Sequence, residues 1–204
     1  MNENKITLLN IDCMEYMSGL PDKAFDLAIV DPPYGISISS NPVRGMYKEK
    51  NWDNKIPNDK YFSELSRVSV NQIIWGGNYF LDYLRATKCF LVWDKKQPHN
   101  FSLAMCEMAW TSFNSPAKMF RQSVLLEKNK IHPTQKPVKL YEWLLITYAK
   151  QGQRILDTHL GSGSSAIAAY NLGFEFVGME LDEDYYTAAC NRFEKHKAQG
   201  NLFV

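Results

Sequence analysis

Four consecutive residues, Asp31-Pro32-Pro33-Tyr34, combine groups that could hold a planar compound carrying an amino group. Proline has no N–H, and a residue before proline is kept out of the helical region. The segment is therefore extended and offers carbonyls and one carboxylate with few competing donors. Tyr34 adds a flat ring beside these acceptors. This combination suits a nucleobase, although an ordinary proline turn after a strand has the same composition.

The element that must position this segment is the apolar run Phe25–Val30, directly before Asp31. The run is short, continuous and bounded by turn residues, which predicts a buried strand. Ligands of open α/β sheets bind beyond the carboxyl ends of strands. We therefore expect Asp31 at a ligand-binding edge of a sheet.

A second segment suited to ligand binding is the loop Gly161-Ser162-Gly163, between a predicted strand ending at Asp157 and an alanine-rich predicted helix. Glycines at a helix N-terminus let a ligand approach the backbone. The next predicted strand ends before Glu180, and an acid about 20 residues after such a loop can hold a ribose diol. The three-glycine dinucleotide pattern is absent, which argues against NAD and FAD. S-adenosylmethionine fits Asp157 better than a pyrophosphate does, although a tight turn with Glu180 as an edge acid is also consistent.

The composition is that of an ordinary soluble globular protein of 204 residues with a formal net charge of +1. One domain spanning residues 1–204 is expected for this length. The four cysteines are far apart and lack zinc-ligand spacing, which indicates reduced cytosolic thiols and no metal site. We expect a cytoplasmic protein, because the N-terminus shows no signal-peptide pattern and no apolar run approaches the roughly 18 residues of a membrane span.

Two stretches are candidate DNA-contacting loops. In residues 36–59, basic side chains alternate with aromatic ones, a combination suited to nucleic acid, although Glu49, Asp53 and Asp59 dilute the positive charge. Residues 112–131 overlap the basic segment Ala117–Lys136, which includes Lys136 and could contact phosphates. A solvated surface is an equally consistent interpretation of both stretches.

Taken together, these segments resemble the amino-group DNA methyltransferases that use S-adenosylmethionine. Asp31-Pro32-Pro33-Tyr34 matches the catalytic motif of that family, and Asp157 with Gly161-Ser162-Gly163 matches its cofactor loop. The catalytic motif precedes the cofactor loop, as in the circularly permuted branch called beta. The stretch His132-Pro133-Thr134-Gln135-Lys136-Pro137 resembles the segment that clasps the cofactor in that branch. One departure is Thr158-His159, where the family usually has Pro-Phe.

The resemblance implies a circularly permuted class I methyltransferase fold. This is a Rossmann-like α/β fold with a seven-stranded, mostly parallel sheet and helices on both faces. The residue pattern itself predicts antiparallel edge strands at Ala109–Phe113 and Met119–Leu126. The implied partner is DNA, and a homodimer is expected because relatives in the beta branch often dimerise.

The resemblance also implies roles for individual residues. The target base would be flipped out of the duplex, and Tyr34 would stack on it through its ring rather than use its hydroxyl. Asp31 and the Pro32 carbonyl would accept hydrogen bonds from the exocyclic amino group. Glu180 would bind the ribose of the cofactor, Asp12 and Cys13 would lie near its adenine, and His132 and Lys136 would approach its methionine end. The implied catalytic residues are Asp31, Pro32, Pro33 and Tyr34, and the implied cofactor-binding residues are Asp12, Cys13, His132, Lys136, Asp157, His159, Gly161, Ser162, Gly163 and Glu180.

Four functions are consistent with these motifs. The first is methylation of adenine N6 in DNA. The second is methylation of cytosine N4, whose enzymes more often have Ser at the position of Asp31. The third is methylation of RNA or of a protein glutamine, and the protein enzymes usually have Asn at that position. The fourth is a non-catalytic DNA-binding subunit with a decayed cofactor site, which Thr158-His159 alone favours.

Overall fold

The sheet that positions the predicted sites has eight strands within the part of the chain that the computed structural model describes, residues 5–37, 50, 52–98, 104–126 and 130–200. The strand β2 has the predicted bounds, and its side chains from Leu27 to Val30 alternate between two buried clusters. The strands are β1 (Ile6–Leu9), β2 (Phe25–Val30), β3 (Ser69–Trp75), β4 (Leu91–Asp94), β5 (Cys106–Thr111), β6 (Lys118–Arg121), β7 (Arg154–Asp157) and β8 (Glu175–Met179).

The strands follow the order β1-β8-β7-β2-β3-β5-β4-β6 across the sheet. Only the pairings of β5 with β3 and β4 are antiparallel among the described strands. The predicted α/β class with a mostly parallel sheet is confirmed, with one strand more than the expected seven. The prediction of two antiparallel edge strands is only half right for each strand. The strand β5 is antiparallel to both neighbours but lies inside the sheet, whereas β6 lies at the edge but runs parallel to β4. A short apolar pattern does not distinguish an edge strand from an interior one.

Helices cover both faces of the sheet, as the resemblance implied. The helices α1 and α2 contribute to one buried cluster, whereas α3, α4 and α5 contribute to the other. In α2, Tyr61, Leu65 and Val68 are buried at the spacing of one helix face. The bounds are α1 (Cys13–Ser18), α2 (Asp59–Val68), α3 (Val138–Tyr148), α4 (Ser164–Leu172) and α5 (Glu183–Gly200), with short 3₁₀ helices at Gly77–Tyr79 and Val124–Leu126.

No helix in the described ranges is long and apolar enough to cross a membrane. The same ranges contain no group of three or more His, Cys, Asp or Glu side chains that could hold a metal ion. All four cysteines are free thiols.

Candidate active site

Three neighbouring parallel strands end at the same edge of the sheet, and a predicted site residue stands at each end. Asp31 follows β2, Asp157 is the last residue of β7, and Glu180 follows β8. A cavity of about 830 Å³ opens at this edge. Asp31, Gly161 and Glu180 all line the cavity, so the structure brings the two predicted segments together.

Most of the predicted site residues line this cavity. Tyr34 and Asp157 lie behind the lining and contact it through hydrogen bonds, to Asp31 and to the His159 backbone respectively. Pro32 and Gly163 also lie outside the lining. The predicted residues that do line the cavity are Asp12, Cys13, Asp31, Pro33, His132, Lys136, His159, Gly161, Ser162 and Glu180.

Both carboxylate oxygens of Asp31 accept hydrogen bonds. The Tyr34 hydroxyl donates to Oδ1 at 2.5 Å, and the Lys136 ammonium donates to Oδ2. Burial raises the pKa of Asp31, and the positive charge of Lys136 opposes that increase. These two donors fix the orientation of the carboxylate, so Asp31 is a preset acceptor in the cavity wall.

Lys136 is enclosed between two acidic side chains, with only 2% of its own side chain exposed. Its ammonium contacts Asp31 and lies 3.0 Å from Glu107 Oε2, while Glu107 Oε1 lies 2.6 Å from the Lys95 ammonium. The interpretation of Lys136 as part of a basic phosphate-contacting patch is therefore wrong. Sequence reasoning also missed Glu107 and Lys95, because neither belongs to a motif and the position of β5 beside β3 has no local signal.

The turn after β3 supports the Tyr34 ring. This ring stacks on the Tyr79 ring, with centroids 4.9 Å apart and an interplanar angle of 15°. Gly76 permits this packing, because a Cβ at that position would lie 2.2 Å from Tyr34 Cε1. The expectation that Tyr34 uses only its ring disagrees with the structure, since the hydroxyl donates to Asp31.

Glu180 fixes the backbone of the glycine loop. The Gly161 N–H donates to Glu180 Oε2 at 2.9 Å, and the Asp182 N–H donates to Oε1 at 3.0 Å. Burial raises the pKa of Glu180, and the backbone donors oppose the increase. The loop continues into α4 through Gly163, the helix N-cap, whose φ is +73°. The partial positive charge of a helix N-terminus is thus placed beside the loop.

Thr158 and His159, which stand where the family usually has Pro-Phe, form a short series of hydrogen bonds with Tyr61 of α2. Tyr61 Oη and Thr158 Oγ1 are 2.7 Å apart, and Thr158 Oγ1 and His159 Nδ1 are 2.9 Å apart. The His159 ring lies edge-on to the Tyr61 ring, with centroids 5.5 Å apart. Burial lowers the pKa of His159 to about 4, so the ring is neutral at physiological pH. The cavity therefore keeps an uncharged aromatic ring where the family usually has Phe.

Other predicted lining side chains come from the start of α1 and from the segment before α3. Asp12 is the N-cap of α1. Burial and the neighbouring Asp12 raise the pKa of Cys13 to about 12, so its thiol is protonated and a poor nucleophile. The His132 ring contacts the rings of Trp52 and Tyr185, at centroid distances of 5.3 and 4.3 Å.

The two candidate DNA-contacting loops are only partly described. Within residues 36–59, residues 38–49 and 51 lie outside the described ranges, whereas Trp52 and residues 55–58 line the cavity. Within residues 112–131, residues 127–129 lie outside the described ranges, and β6 contributes exposed side chains at the sheet edge. DNA contact by either loop stays a prediction.

Asp53, which sequence reasoning counted only as a charge in the first loop, is buried with 1% exposure and contacts the end of the segment Asp31-Pro32-Pro33-Tyr34. Its Oδ1 accepts hydrogen bonds from the Tyr34 N–H at 2.7 Å and from the Gly35 N–H at 3.0 Å. The two prolines before Tyr34 have no N–H, so these are the first backbone donors after Asp31. Asp53 therefore fixes the turn that presents Asp31 and Tyr34.

We expect Asp53→Ala to lower the free energy of unfolding by about 1–2 kcal/mol, because it removes the acceptor of two partly buried N–H groups. Asp53→Asn keeps an acceptor oxygen and should lose less than half as much. Urea denaturation of the two variants and the parent measures the difference. Equal losses in the two variants would show that these hydrogen bonds do not stabilise the turn.

Asp157 is buried beneath the glycine loop, where its oxygens accept hydrogen bonds from Ser165 Oγ at 2.6 Å and the His159 N–H at 3.0 Å. Burial raises the pKa of Asp157 to about 7. An unfolded Asp titrates near pH ~3.9, so the native state binds the extra proton between about pH 4 and about pH 7. The stability contributed by Asp157 is therefore full below this window and decreases as pH rises through it. Asp157→Asn should remove this decrease.

His159 has the opposite effect, because its lowered pKa makes stability rise between about pH 4 and about pH 6.5. The useful quantity is thus the melting temperature of the parent minus that of Asp157→Asn, since His159 is present in both proteins. This difference should decrease as pH rises to about 7 and then stay constant. A difference that does not vary with pH would contradict the raised pKa of Asp157.

Comparison with known proteins agrees with this arrangement. Residues 71–191, more than half of the chain, match the family model described as DNA methylase, of the N6 and N4 type. The chain is 25% identical to Type II methyltransferase M2.DpnII of Streptococcus pneumoniae, over 95% of this chain and 91% of that protein.

Two solved structures have the same fold. The crystal structure of the M1.HpyAVI–SAM complex aligns with a TM-score of 0.64 and 23% identity, over 92% of this chain and 99% of that chain. The cytosine-N4-specific PvuII DNA methyltransferase aligns with a TM-score of 0.68 and 12% identity, over 95% of this chain and 90% of that chain. Because the family model matches more than half of the chain, the chain belongs to the N6/N4 DNA methylase family.

Proposed function

We propose that this protein transfers a methyl group from S-adenosylmethionine to the N6 amino group of adenine in DNA. The observation that carries the proposal is the position of Asp31, which lines the same cavity as Gly161 and Glu180. An acceptor for the target amino group and a nucleoside-binding segment therefore share one enclosed space. Membership of the DNA methylase family supports the reaction class.

The residues present fit S-adenosylmethionine. When bound, this cofactor supplies an electrophilic methyl group on a positively charged sulfur. The cavity lining has four carboxylates, Asp12, Asp31, Glu180 and Asp182, against the two ammonium groups of Lys55 and Lys136. This excess of negative charge suits a ligand with a sulfonium and an ammonium. Glu180 would bind the ribose hydroxyls, and the neutral ring of His159 would pack beside the adenine of the cofactor.

The role of Asp31 follows from the electronic structure of the adenine amino group, whose lone pair is delocalised into the ring. A hydrogen bond from that group to Asp31 favours a pyramidal nitrogen and localises the lone pair. The Pro32 carbonyl, the expected second acceptor, belongs to a residue outside the cavity lining. The base reaches Asp31 only when it is flipped out of the duplex, at a cost of a few kcal/mol. Catalysis then depends on alignment and acceptor placement. No cysteine nucleophile is required, consistent with the protonated Cys13 thiol.

Adenine is preferred over cytosine in this proposal because Asp stands at position 31. Cytosine-N4 enzymes, as judged from the family resemblance, more often have Ser there. A second candidate function is therefore methylation of cytosine N4 in the same cavity. The expected homodimer stays a prediction, which sedimentation of the purified chain would test.

The experiment incubates the protein with methyl-tritiated S-adenosylmethionine and unmethylated genomic DNA, then separates the nucleosides of the digested DNA. We expect the label in N6-methyl-2′-deoxyadenosine. Label in N4-methylcytosine would support the second candidate. Absence of label in DNA, together with absence of cofactor binding by calorimetry, would support a non-catalytic subunit. RNA and total protein are incubated in parallel as competing substrates.

A further inference from the structure

Four side chains of alternating charge form a line that begins at Asp31 and extends into the sheet. Asp31 contacts the Lys136 ammonium, which lies 3.0 Å from Glu107 Oε2, and Glu107 Oε1 lies 2.6 Å from the Lys95 ammonium. The side chains of Lys136 and Lys95 are 2% and 12% exposed. Asp31 and Lys136 belong to the predicted site, whereas Glu107 lies on β5 and Lys95 follows β4.

This line matters because Asp31 has no unused oxygen in the structure. Its Oδ1 accepts from the Tyr34 hydroxyl, and its Oδ2 accepts from Lys136. A carboxylate oxygen can accept more than one hydrogen bond, so a target amino group that binds Asp31, as the proposed function requires, either shares an oxygen with one of these donors or displaces it. The hydroxyl of Tyr34 has a short bond of 2.5 Å to Asp31, and its ring is packed against Tyr79.

Lys136, in contrast, has a second acceptor within reach. Glu107 Oε2 is buried and accepts no hydrogen bond of good geometry from any described residue, although the Lys136 ammonium is only 3.0 Å away. Buried acceptors without a hydrogen bond are rare in native proteins. Because an ammonium has three donors on a flexible stem, a small rotation of Lys136 would complete this bond.

We propose, on the basis of the proposed function, that Glu107 is a positioning residue that takes the Lys136 ammonium from Asp31 when the target amino group arrives. Asp31 Oδ2 then accepts the amino hydrogen, and Lys136 stays paired with Glu107. The exchange moves no proton, but it separates the Asp31 carboxylate from its ion-pair partner, because the incoming amino group is neutral. Asp31 is then stabilised by the hydrogen bonds of the Tyr34 hydroxyl and of the amino group. Lys95 fixes Glu107 through Oε1 and keeps Oε2 directed at Lys136.

The electrostatics are consistent with this exchange. Burial opposes ionisation of Glu107, but the Lys136 and Lys95 charges outweigh it and lower the pKa of Glu107 to about 2. Burial raises the pKa of Asp31, and the nearby charge of Glu107 raises it further. Asp31 also faces Lys136 and the Tyr34 hydroxyl, which both favour its ionised form. Removing the charge of Glu107 should therefore lower the pKa of Asp31.

The test compares Glu107→Gln with the parent in steady-state methylation of DNA. The neutral amide of Gln attracts the ammonium less than the Glu107 carboxylate does, so the ammonium favours the ionised Asp31. We expect kcat to fall by about 10–100-fold, the range seen when an outer partner of a functional group is removed. The KM for DNA and the calorimetric affinity for S-adenosylmethionine should be unchanged. The acid limb of the kcat profile should also move to lower pH, which a merely structural defect would not cause.

Two further variants complete the experiment. Glu142→Gln removes a carboxylate that pairs with Lys139 at 2.8 Å outside the line of charges, and it should retain the parent kcat. Glu107→Asp retains the charge and should recover part of the loss with the parental acid limb. If Glu107→Gln does not fold, Glu107→Asp is compared with the parent instead, and its kcat should be lower than that of the parent. An active parent with a Glu107 variant of equal kcat overturns the inference alone, whereas an inactive parent overturns the proposed function as well.

Discussion

Replacement of Asp31 by alanine is expected to reduce methyl transfer by at least about 100-fold, the loss typical of removing one preorganised group from a transition state. Asp31 lies at the end of β2 in the cavity wall and is fixed there by Tyr34 and Lys136. Alanine removes both acceptor oxygens but leaves Glu180 and the glycine loop intact. Binding of S-adenosylmethionine should therefore persist, and tritium transfer and calorimetry measure the two properties separately.

The matched control is Asp82→Ala, which removes an exposed carboxylate from a surface turn. This variant should transfer methyl groups at the parent rate. Residual transfer by Asp31→Ala within tenfold of the parent would contradict the role of Asp31. Loss of cofactor binding in Asp31→Ala would instead mean that Asp31 acts mainly on the cofactor.

Gly76→Ala is expected to have an effect of similar size, although Gly76 does not line the cavity. Its φ is +70°, and an added Cβ would lie 2.2 Å from Tyr34 Cε1. The Tyr34 ring would have to move, and its hydroxyl would leave Asp31 Oδ1. We expect at least about 100-fold slower transfer, together with a loss of stability greater than the roughly 1–2 kcal/mol of a left-handed alanine.

Gly152 provides a control that separates the backbone strain of a positive φ from the steric clash with the Tyr34 ring. Gly152 has a φ of +85°, but a Cβ at that position would have no neighbour within 4 Å. Gly152→Ala should therefore lose about 1–2 kcal/mol of stability and retain full activity. Equal activities of the two alanine variants would show that the Tyr34 ring does not depend on the space at Gly76.

The positions of Asp31, Asp157 and Glu180 could be predicted from the sequence because each follows a short apolar strand and belongs to a recognisable motif. Parallel strands place their carboxyl ends at one edge, so three such residues on adjacent strands necessarily lie near one another. The family resemblance implied a mostly parallel sheet, and the structure shows that β8, β7 and β2 are neighbours in it. The structure shows that Asp31 and Glu180 line one cavity and that Asp157 lies behind its lining.

The supporting residues could not be predicted, because their partners are distant in sequence. Lys136 and Asp31 are 105 positions apart. Glu107 has no motif, and the inward position of β5 depends on the packing of the whole sheet. Asp53 looked like a solvated charge in a basic loop, yet it is buried and contacts Tyr34. A charge pattern does not reveal which charges are paired inside the fold.

The central claim is that one cavity presents the target amino group to Asp31. The most direct measurement is a crystal structure of the protein with S-adenosylhomocysteine and a DNA duplex containing the preferred adenine. The account predicts an extrahelical adenine whose N6 lies about 2.7–3.2 Å from an Asp31 carboxylate oxygen, with the nucleoside of the cofactor product against Glu180. An adenine bound away from Asp31, or a cofactor product bound outside this cavity, would contradict the account.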